Sequence, residues 1–241
     1  MILVESNSKE AAFYFAVEEM FTRYLRKNEQ VLMLWRTDKT VMIGSNQVVE
    51  AEVNAEFASN SEIQIVRRSS GGGAIYTDPG TVLYTDIRPL TAETGVIREE
   101  VATSVISALN KMGVPSKREG KNDITVDGKK ISGFAQYTSG KHVCTHCSLL
   151  YDTDLETLTN VLIANEKKLR PKGIASIRSR VTNIRPFVKE DFPVEDFITK
   201  IKNYLLNGVE YTSYNFTPEE LEKINTIRKE KYTNPNWNLR M

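Results

Sequence analysis

Strand-like runs crowd together early in this chain: VLMLW (31–35), VMIG (41–44), IQIV (63–66), AIYT (74–77) and TVLYTDI (81–87). Such runs, rich in β-branched and aromatic residues and separated by turn residues, favour short strands. They cluster rather than alternating strictly with helices, which disfavours a doubly wound parallel fold. The expected class is α+β, with a mixed, mostly antiparallel sheet flanked by helices. Helical segments are expected at Ser8 to Leu25, with Asn7 as cap and Glu10 at capping-box spacing, and at Val96 to Met112, with Gly113 as the C′ residue. Asp127-Gly128 predicts a two-residue hairpin turn, HVCTHCSLLYD another strand, and Asp154 to Leu162 a short helix. The polar stretch from Asn165 to Pro186 reads as a long loop. Two helices close the chain, Pro193 to Asn207 ending at Gly208, and one opening at Thr217-Pro218-Glu219-Glu220. The 241 residues suit a single domain, 1–241, whose part from about 190 onward is helical.

Charge and cysteine content exclude several classes. Lys plus Arg is 32 and Asp plus Glu is 31, a net +1, so the basic field of a non-specific nucleic-acid binder is missing. No apolar run approaches the ~20 residues that span a bilayer, so neither nucleic acid nor membrane is an expected partner. Cys144 and Cys147 have no second pair to complete a zinc site, and on one strand they point to opposite faces. The N-terminus lacks the pattern of a secretory signal, which leaves a reducing cytoplasm as the expected location.

Two segments could carry chemistry. In RRSSGGGAIYTDPG (67–80) three glycines stand between strand runs, so backbone amides can approach a ligand closely, and the flanking arginines could hold an anion. A plain connecting loop is the alternative. In GKNDITVDGKKISG an unbroken hairpin pairs Val126 with Lys129, Thr125 with Lys130, Ile124 with Ile131 and Asp123 with Ser132. Asp123, Thr125, Lys130 and Ser132 then share one face, and Ile124, Val126 and Ile131 face the core. An exposed ion pair fits that face, and so does a metal-binding Asp beside a Lys that neutralises developing negative charge.

Together these segments resemble the lipoate–protein ligase family, within the biotin/lipoate–protein ligase group. Four stretches carry the likeness: RRSSGGGAIYTDPG, GKNDITV with KKISG, HCSLL, and KGIASIRSRVTNI, in family order, with LMLW and IGSNQ ahead of them. The resemblance implies a biotin/lipoate–protein ligase-like catalytic domain that activates lipoate with ATP and Mg²⁺ to lipoyl-AMP. The lipoyl group then passes to a lysine of a lipoyl-carrier domain, such as an H protein or an E2 subunit. By family match Arg68, Ser70, Gly71, Gly72, Gly73, Ala74, Ile75 and Tyr76 line the lipoate and adenylate pocket, with Ser132, Gly133 and the strand histidine His146. Lys130 is the catalytic cation, Asn122 and Asp123 lie near phosphate, and Asp123 is a candidate Mg²⁺ ligand. Lys172, Gly173, Ser179 and Arg180 belong to a loop (172–183) expected to close over the adenylate. Departures are Thr77 for the family's histidine before Asp78, Cys147 for a glycine, and Arg240 for the closing glycine. Many relatives of that family continue into a C-terminal accessory domain, which the 241 residues here are expected to lack, so a separate accessory-domain protein is a further candidate partner for the adenylation step. The rival readings are a transferase that uses ready-made lipoyl-AMP, a cysteine-thioester lipoyl or octanoyl transferase, and a catalytically silent carrier-protein binder.

Overall fold

Every residue of His142–Leu150 is buried. An extended strand alternates its side chains, so this is possible only in a sheet covered on both faces. The structure, a computed structural model, describes residues 1–25, 29–163 and 180–239. Its strands are β1 (Ile2–Val4), β2 (Val31–Trp35), β3 (Thr40–Ile43), β4 (Gln64–Arg67), β5 (Ile75–Thr77), β6 (Thr81–Pro89), β7 (Lys117–Glu119), β8 (Asp123–Val126), β9 (Lys129–Ser139), β10 (His142–Leu150) and β11 (Thr212–Tyr214). The helices are α1 (Ala11–Tyr24), α2 (Val49–Glu52), α3 (Ala55–Asn60), α4 (Thr94–Lys111), α5 (Leu155–Val161), α6 (Val194–Leu205), α7 (Pro218–Ile227) and α8 (Pro235–Asn238).

Among the described residues the large sheet has the order β11-β1-β2-β6-β10-β9-β8-β7, and a three-stranded sheet the order β4-β3-β5. Pairing is antiparallel except at β1–β11, β1–β2 and β3–β4, which makes the sheets mixed and mostly antiparallel, as expected. Along β6 the alternation is strict. Val82 and Tyr84 enter the core beneath α4 and α6, while Leu83 and Ile87 enter the core beneath α1 and α7. Cys144 and Cys147 likewise fall into these opposite cores and remain free thiols. A third cluster packs α3 and α5 on the small sheet. No helix among the described residues is long and apolar enough to cross a membrane.

Local signals set several boundaries. Gly113 and Gly208 follow α4 and α6 with φ of 93° and 77°, the left-handed geometry that ends a helix. Thr217 and Glu220 form the capping box of α7. The first helix differs from expectation. It starts at Ala11, and its N-cap residue Glu10 makes no side-chain cap bond. The Ser6 and Ser8 hydroxyls accept from the Ser8 and Glu10 amides, and Tyr14 Oη donates to the Ser6 and Ser8 carbonyls, so residues 6–10 form a serine-stapled turn instead.

The Asp127-Gly128 turn forms with φ of 49° and 73° at its two residues, the type I′ signature, and Val126 opposes Lys129 and Thr125 opposes Lys130. Beyond that point the expected register fails. Ile124 faces Ser132 and Asp123 faces Gly133, because a bulge inserts Ile131 as an extra residue. Ile124, Val126 and Ile131 are still all in the core. Ser132 and Thr125 are buried too, so the four-residue polar face reduces to Asp123 and Lys130.

Candidate active site

A cavity of about 330 Å³ lies where the small sheet meets the β9–β10 half of the large one. Its inner wall is apolar: Phe15 from α1, Trp35 from β2, Met42 from β3 and Leu83 from β6. The glycine loop with Ala74, Ile75 and Tyr76 forms one side, and Gly133 to Ala135 with His146 to Ser148 forms another. Asn122, Asp123, Lys130, Arg180 and Val181 also line it. Apolar side chains and a few convergent polar groups therefore share one cavity.

The glycines are needed for geometry. Gly72 has φ of 92°, which an L side chain rarely adopts. A Cβ on Gly44 would stand 2.2 Å from the Gly72 carbonyl oxygen, so the β3 end and the loop touch backbone to backbone. At Gly71 and Gly73 nothing lies within 4 Å of an added Cβ.

The two arginines before the loop are bound into the backbone around it. Arg68 donates through Nε to Ser70 Oγ at 3.0 Å, through Nη1 to the Met42 carbonyl at 2.9 Å, and through Nη2 to the Gly71 and Gly73 carbonyls at 2.8 and 2.7 Å. Its burial pulls the guanidinium down to about 10, with Glu18 opposing the shift. Arg67 donates to the carbonyls of Gly44, Gln47, Trp237 and Asn238. Both flanking arginines thus spend most of their donors on the loop and its supports, and Arg68 also lines the cavity. A buried guanidinium needs its donors met, and backbone carbonyls of the loop and its supports meet them.

His146 sits between the loop and α1. Its Nε2 is 2.6 Å from Ser70 Oγ, and its Nδ1 is 3.1 Å from both carboxylate oxygens of Glu18. A carboxylate only accepts, so Nδ1 donates to Glu18. Thr85 Oγ1 also donates to Glu18, at 2.7 Å, and accepts from Trp35 Nε1 at 3.0 Å. Glu18, Cys144 and His146 bring their ligand atoms within 4.8 Å of one another. The Cys144 thiol is pushed well up by burial, so it stays protonated, and the Glu18 oxygens are already occupied. The trio is a hydrogen-bonded support, unlike the open oxygen site that Mg²⁺ takes.

At the other end Lys130 Nζ lies 2.8 Å from Asp123 Oδ1, with both side chains about one-third exposed. The ammonium lies across Gly133, where a Cβ would be 2.5 Å from Nζ and 2.8 Å from Cε. Val181 pairs with Lys130, Thr182 N–H donates to the Lys130 carbonyl at 3.0 Å, and the Asn183 side chain exchanges hydrogen bonds with the Thr153 backbone. The segment 181–183 is therefore anchored to the hairpin that carries the lysine. Of the loop expected to close over the adenylate, this C-terminal end already lies against the hairpin.

The model of the lipoyl protein ligase A/B catalytic domain matches residues 10–206. The chain belongs to the lipoyl protein ligase A/B catalytic-domain family. Lipoate-protein ligase LplJ of Bacillus subtilis is 32% identical over 99% of this chain and 73% of its own length. A solved bi-partite lipoate protein ligase from Thermoplasma acidophilum, described with its E2 lipoyl domain, is 26% identical with a TM-score of 0.84, covering 99% of this chain and 95% of that one. A lipoate-protein ligase A bound with ATP shares the fold at 24% identity and a TM-score of 0.85, over 99% of this chain and 97% of that one.

Of the residues the family likeness singled out, Arg68, Gly72, Gly73, Ala74, Ile75, Tyr76, Asn122, Asp123, Lys130, Gly133, His146 and Arg180 line this ligase-family cavity. Ser70, Gly71 and Ser132 do not. Ser70 is consumed by Arg68 and His146, and the bulge turns Ser132 inward. Lys172, Gly173 and Ser179 lie outside the described residues. Sequence reasoning missed Glu18 and the apolar wall. Glu18 sits in an apolar helical stretch, AAFYFAVEEMF, and a buried acid in such a stretch is the one signal that could have pointed to it.

Proposed function

We propose that this protein is an ATP-dependent lipoate–protein ligase. The observation that carries the reading is the single cavity with an apolar inner wall, an open glycine backbone and the Lys130–Asp123 pair. An apolar acyl chain suits the Phe15–Trp35–Met42–Leu83 wall, and its carboxylate would then point toward Lys130. In the first step a lipoate oxygen attacks the α-phosphorus of ATP, the bond to the β-phosphate oxygen breaks, and pyrophosphate leaves. In the second the ε-amine of a carrier lysine attacks the acyl carbonyl and AMP departs with the anhydride oxygen. Charge gathers on phosphate oxygens first and on the acyl oxygen next, so a fixed ammonium and backbone amides supply stabilisation. Asp123 offers the single carboxylate that Mg²⁺ bound to ATP phosphates commonly uses, and the ion would neutralise phosphate charge there. The carrier is a lipoyl domain, consistent with the E2 lipoyl domain described with the Thermoplasma ligase. The free, buried cysteines suit a cytoplasmic enzyme.

ATP–pyrophosphate exchange dependent on lipoate, followed by the mass gain of an added lipoyl domain, tests both half-reactions. The bi-partite nature of the Thermoplasma relative favours a second reading, in which adenylation needs a separate chain. That reading predicts no exchange from this chain alone but transfer from supplied lipoyl-AMP. A carrier domain left unmodified in both assays would overturn the ligase reading.

Two variants sharpen the chemistry. In Gly133→Ala the new methyl displaces the flexible end of Lys130 rather than any backbone, so stability should change by less than about 1 kcal/mol. Transfer kcat should fall roughly tenfold as the ammonium shifts. Equal kcat at equal melting temperature would separate Lys130 from the reaction. The thioester route requires a reactive thiol, yet burial pushes Cys147 up to about 12 and Cys144 well above the usual thiol range. Replacing both with Ala should leave modification within about threefold of the unaltered chain, at a packing cost. An acyl thioester found by intact mass spectrometry on either cysteine would reverse this assignment.

A further inference from the structure

Outside the cavity, four polar side chains from three segments close into a ring. Glu19 on α1, Ser69 before the glycine loop, and Lys231 and Tyr232 near the C-terminus meet within hydrogen-bond distance. Lys231 Nζ donates to Glu19 Oε2 at 2.6 Å and to Ser69 Oγ at 2.9 Å. Tyr232 Oη donates to Glu19 Oε2 at 2.6 Å and is 2.7 Å from Ser69 Oγ. Since Glu19 can only accept, the proton order is fixed: Lys231 to Ser69, Ser69 to Tyr232, and Tyr232 to Glu19. Glu19 and Tyr232 are buried, and burial together with Glu19 pushes the Tyr232 hydroxyl well up, so it remains a donor.

Two adjacent residues of a regular helix do not ordinarily point at one acceptor. Here Arg228–Tyr232 is a π-helical turn, with Thr233 N–H bonded to the Arg228 carbonyl at 2.8 Å. Its wider winding brings Lys231 and Tyr232 to the same side. Such turns are rare and frequently sit at functional sites. The same C-terminal segment also grips Arg67, the last residue of β4, two positions before Ser69. Trp237 Nε1 donates to the Arg67 carbonyl at 2.8 Å, and Asn238 Oδ1 accepts from the Arg67 amide at 2.9 Å.

Neighbouring acids of α1 thus reach neighbouring serines. Glu18 reaches Ser70 through His146, and Glu19 reaches Ser69 through Lys231 and Tyr232. We propose that Glu19, Lys231 and Tyr232 are positioning residues that act through Ser69 to hold the glycine loop in its ligand-ready shape. Lys231 and Tyr232 are then part of the site machinery, although neither they nor Glu19 and Ser69 line the cavity. This rests on the ligase reading only for the identity of the ligand; the wiring concerns the ligand-free loop.

The experiment compares the unaltered chain with Tyr232→Phe, Glu19→Gln, Ser69→Ala and the Ser69→Ala/Tyr232→Phe double variant. Arg228→Ala, which breaks the Arg228–Glu10 pair on the same turn, is the control for general damage to that helix. Amide exchange at residues 70–75 should quicken about tenfold in each loop-wiring variant, while β10 amides keep their rates and Arg228→Ala leaves the loop unchanged. Affinity for a non-hydrolysable lipoyl-AMP mimic should weaken about tenfold in parallel, and the double variant should be no worse than the worse single, since both cut one connection. Loop exchange identical to that of the unaltered chain in Tyr232→Phe and Ser69→Ala would overturn the proposal, even if the melting temperature fell. Should Tyr232→Phe fail to fold, Lys231→Met gives the same reading of the Ser69 contact. If the unaltered chain does not bind the mimic, the ligase reading fails while loop exchange still decides the wiring.

Discussion

Lys130→Ala should fold and dock its hairpin as before yet transfer lipoyl groups about 10³-fold more slowly, the scale of losing one fixed charge contact in a transition state. The hairpin does not depend on the ammonium. Its turn is fixed by the positive φ of Asp127 and Gly128, and its inner face by Ile124, Val126 and Ile131. Lys130 and Asp123 are each about one-third exposed, so losing the pair costs little stability. What is lost is a cation held over Gly133 at the cavity wall, tied through its backbone to Val181 and Thr182. Lys130→Arg should recover only part of the rate, because a planar fork does not occupy the place of a compact ammonium. Steady-state kcat/KM on a lipoyl domain, with melting temperature as the folding control, makes the check. Turnover near that of the unaltered chain in Lys130→Ala would remove the lysine from the mechanism.

Gly72→Val should weaken binding of the lipoyl-AMP mimic about 100-fold, equivalent to about 2.7 kcal/mol. The φ of 92° at Gly72 is costly for a β-branched residue, by roughly 1–3 kcal/mol. The added Cβ would also stand 3.1 Å from Arg68 Nη2, the donor that ties the Gly71 and Gly73 carbonyls together. The loop relieves both by changing shape, and the close backbone approach is lost. Gly140→Val is the matched comparison. Gly140 has φ of 58° in the β9–β10 turn with nothing near its Cβ, so it bears similar strain outside the cavity. Both variants should lose a few degrees of melting temperature. Only Gly72→Val should lose affinity in a calorimetric titration. Equal affinities in the two would make the glycine loop a mere connector.

Features governed by neighbouring residues were legible in the sequence. Asp127-Gly128 demands left-handed dihedrals and so turns the hairpin. Gly113 and Gly208 stop their helices, and Thr217 with Glu220 caps the next. Opposite-facing Cys144 and Cys147 follow from the two-residue period of a strand. Features set by partners far along the chain were not legible. Asn7 was a plausible cap until Ser6 and Ser8 captured the local amides. The hairpin register was regular on paper, yet the bulge at Ile131 belongs to a sheet whose next partner, Val181, lies some fifty positions further on. Arg67 and Arg68 looked like anion holders because guanidinium chemistry is visible in one residue, whereas the carbonyls that occupy them belong to Gly44, Gln47, Trp237 and Asn238 for the one and Met42, Gly71 and Gly73 for the other. Glu18 and Glu19 drew no notice within the first helical segment, and only folding brought His146 and the C-terminal π-turn against them. Short-range sterics write the turns and caps into the sequence itself. The loop's supports depend on which buried donors and acceptors meet once the helices and sheets close on one another, so only the tertiary structure decides them.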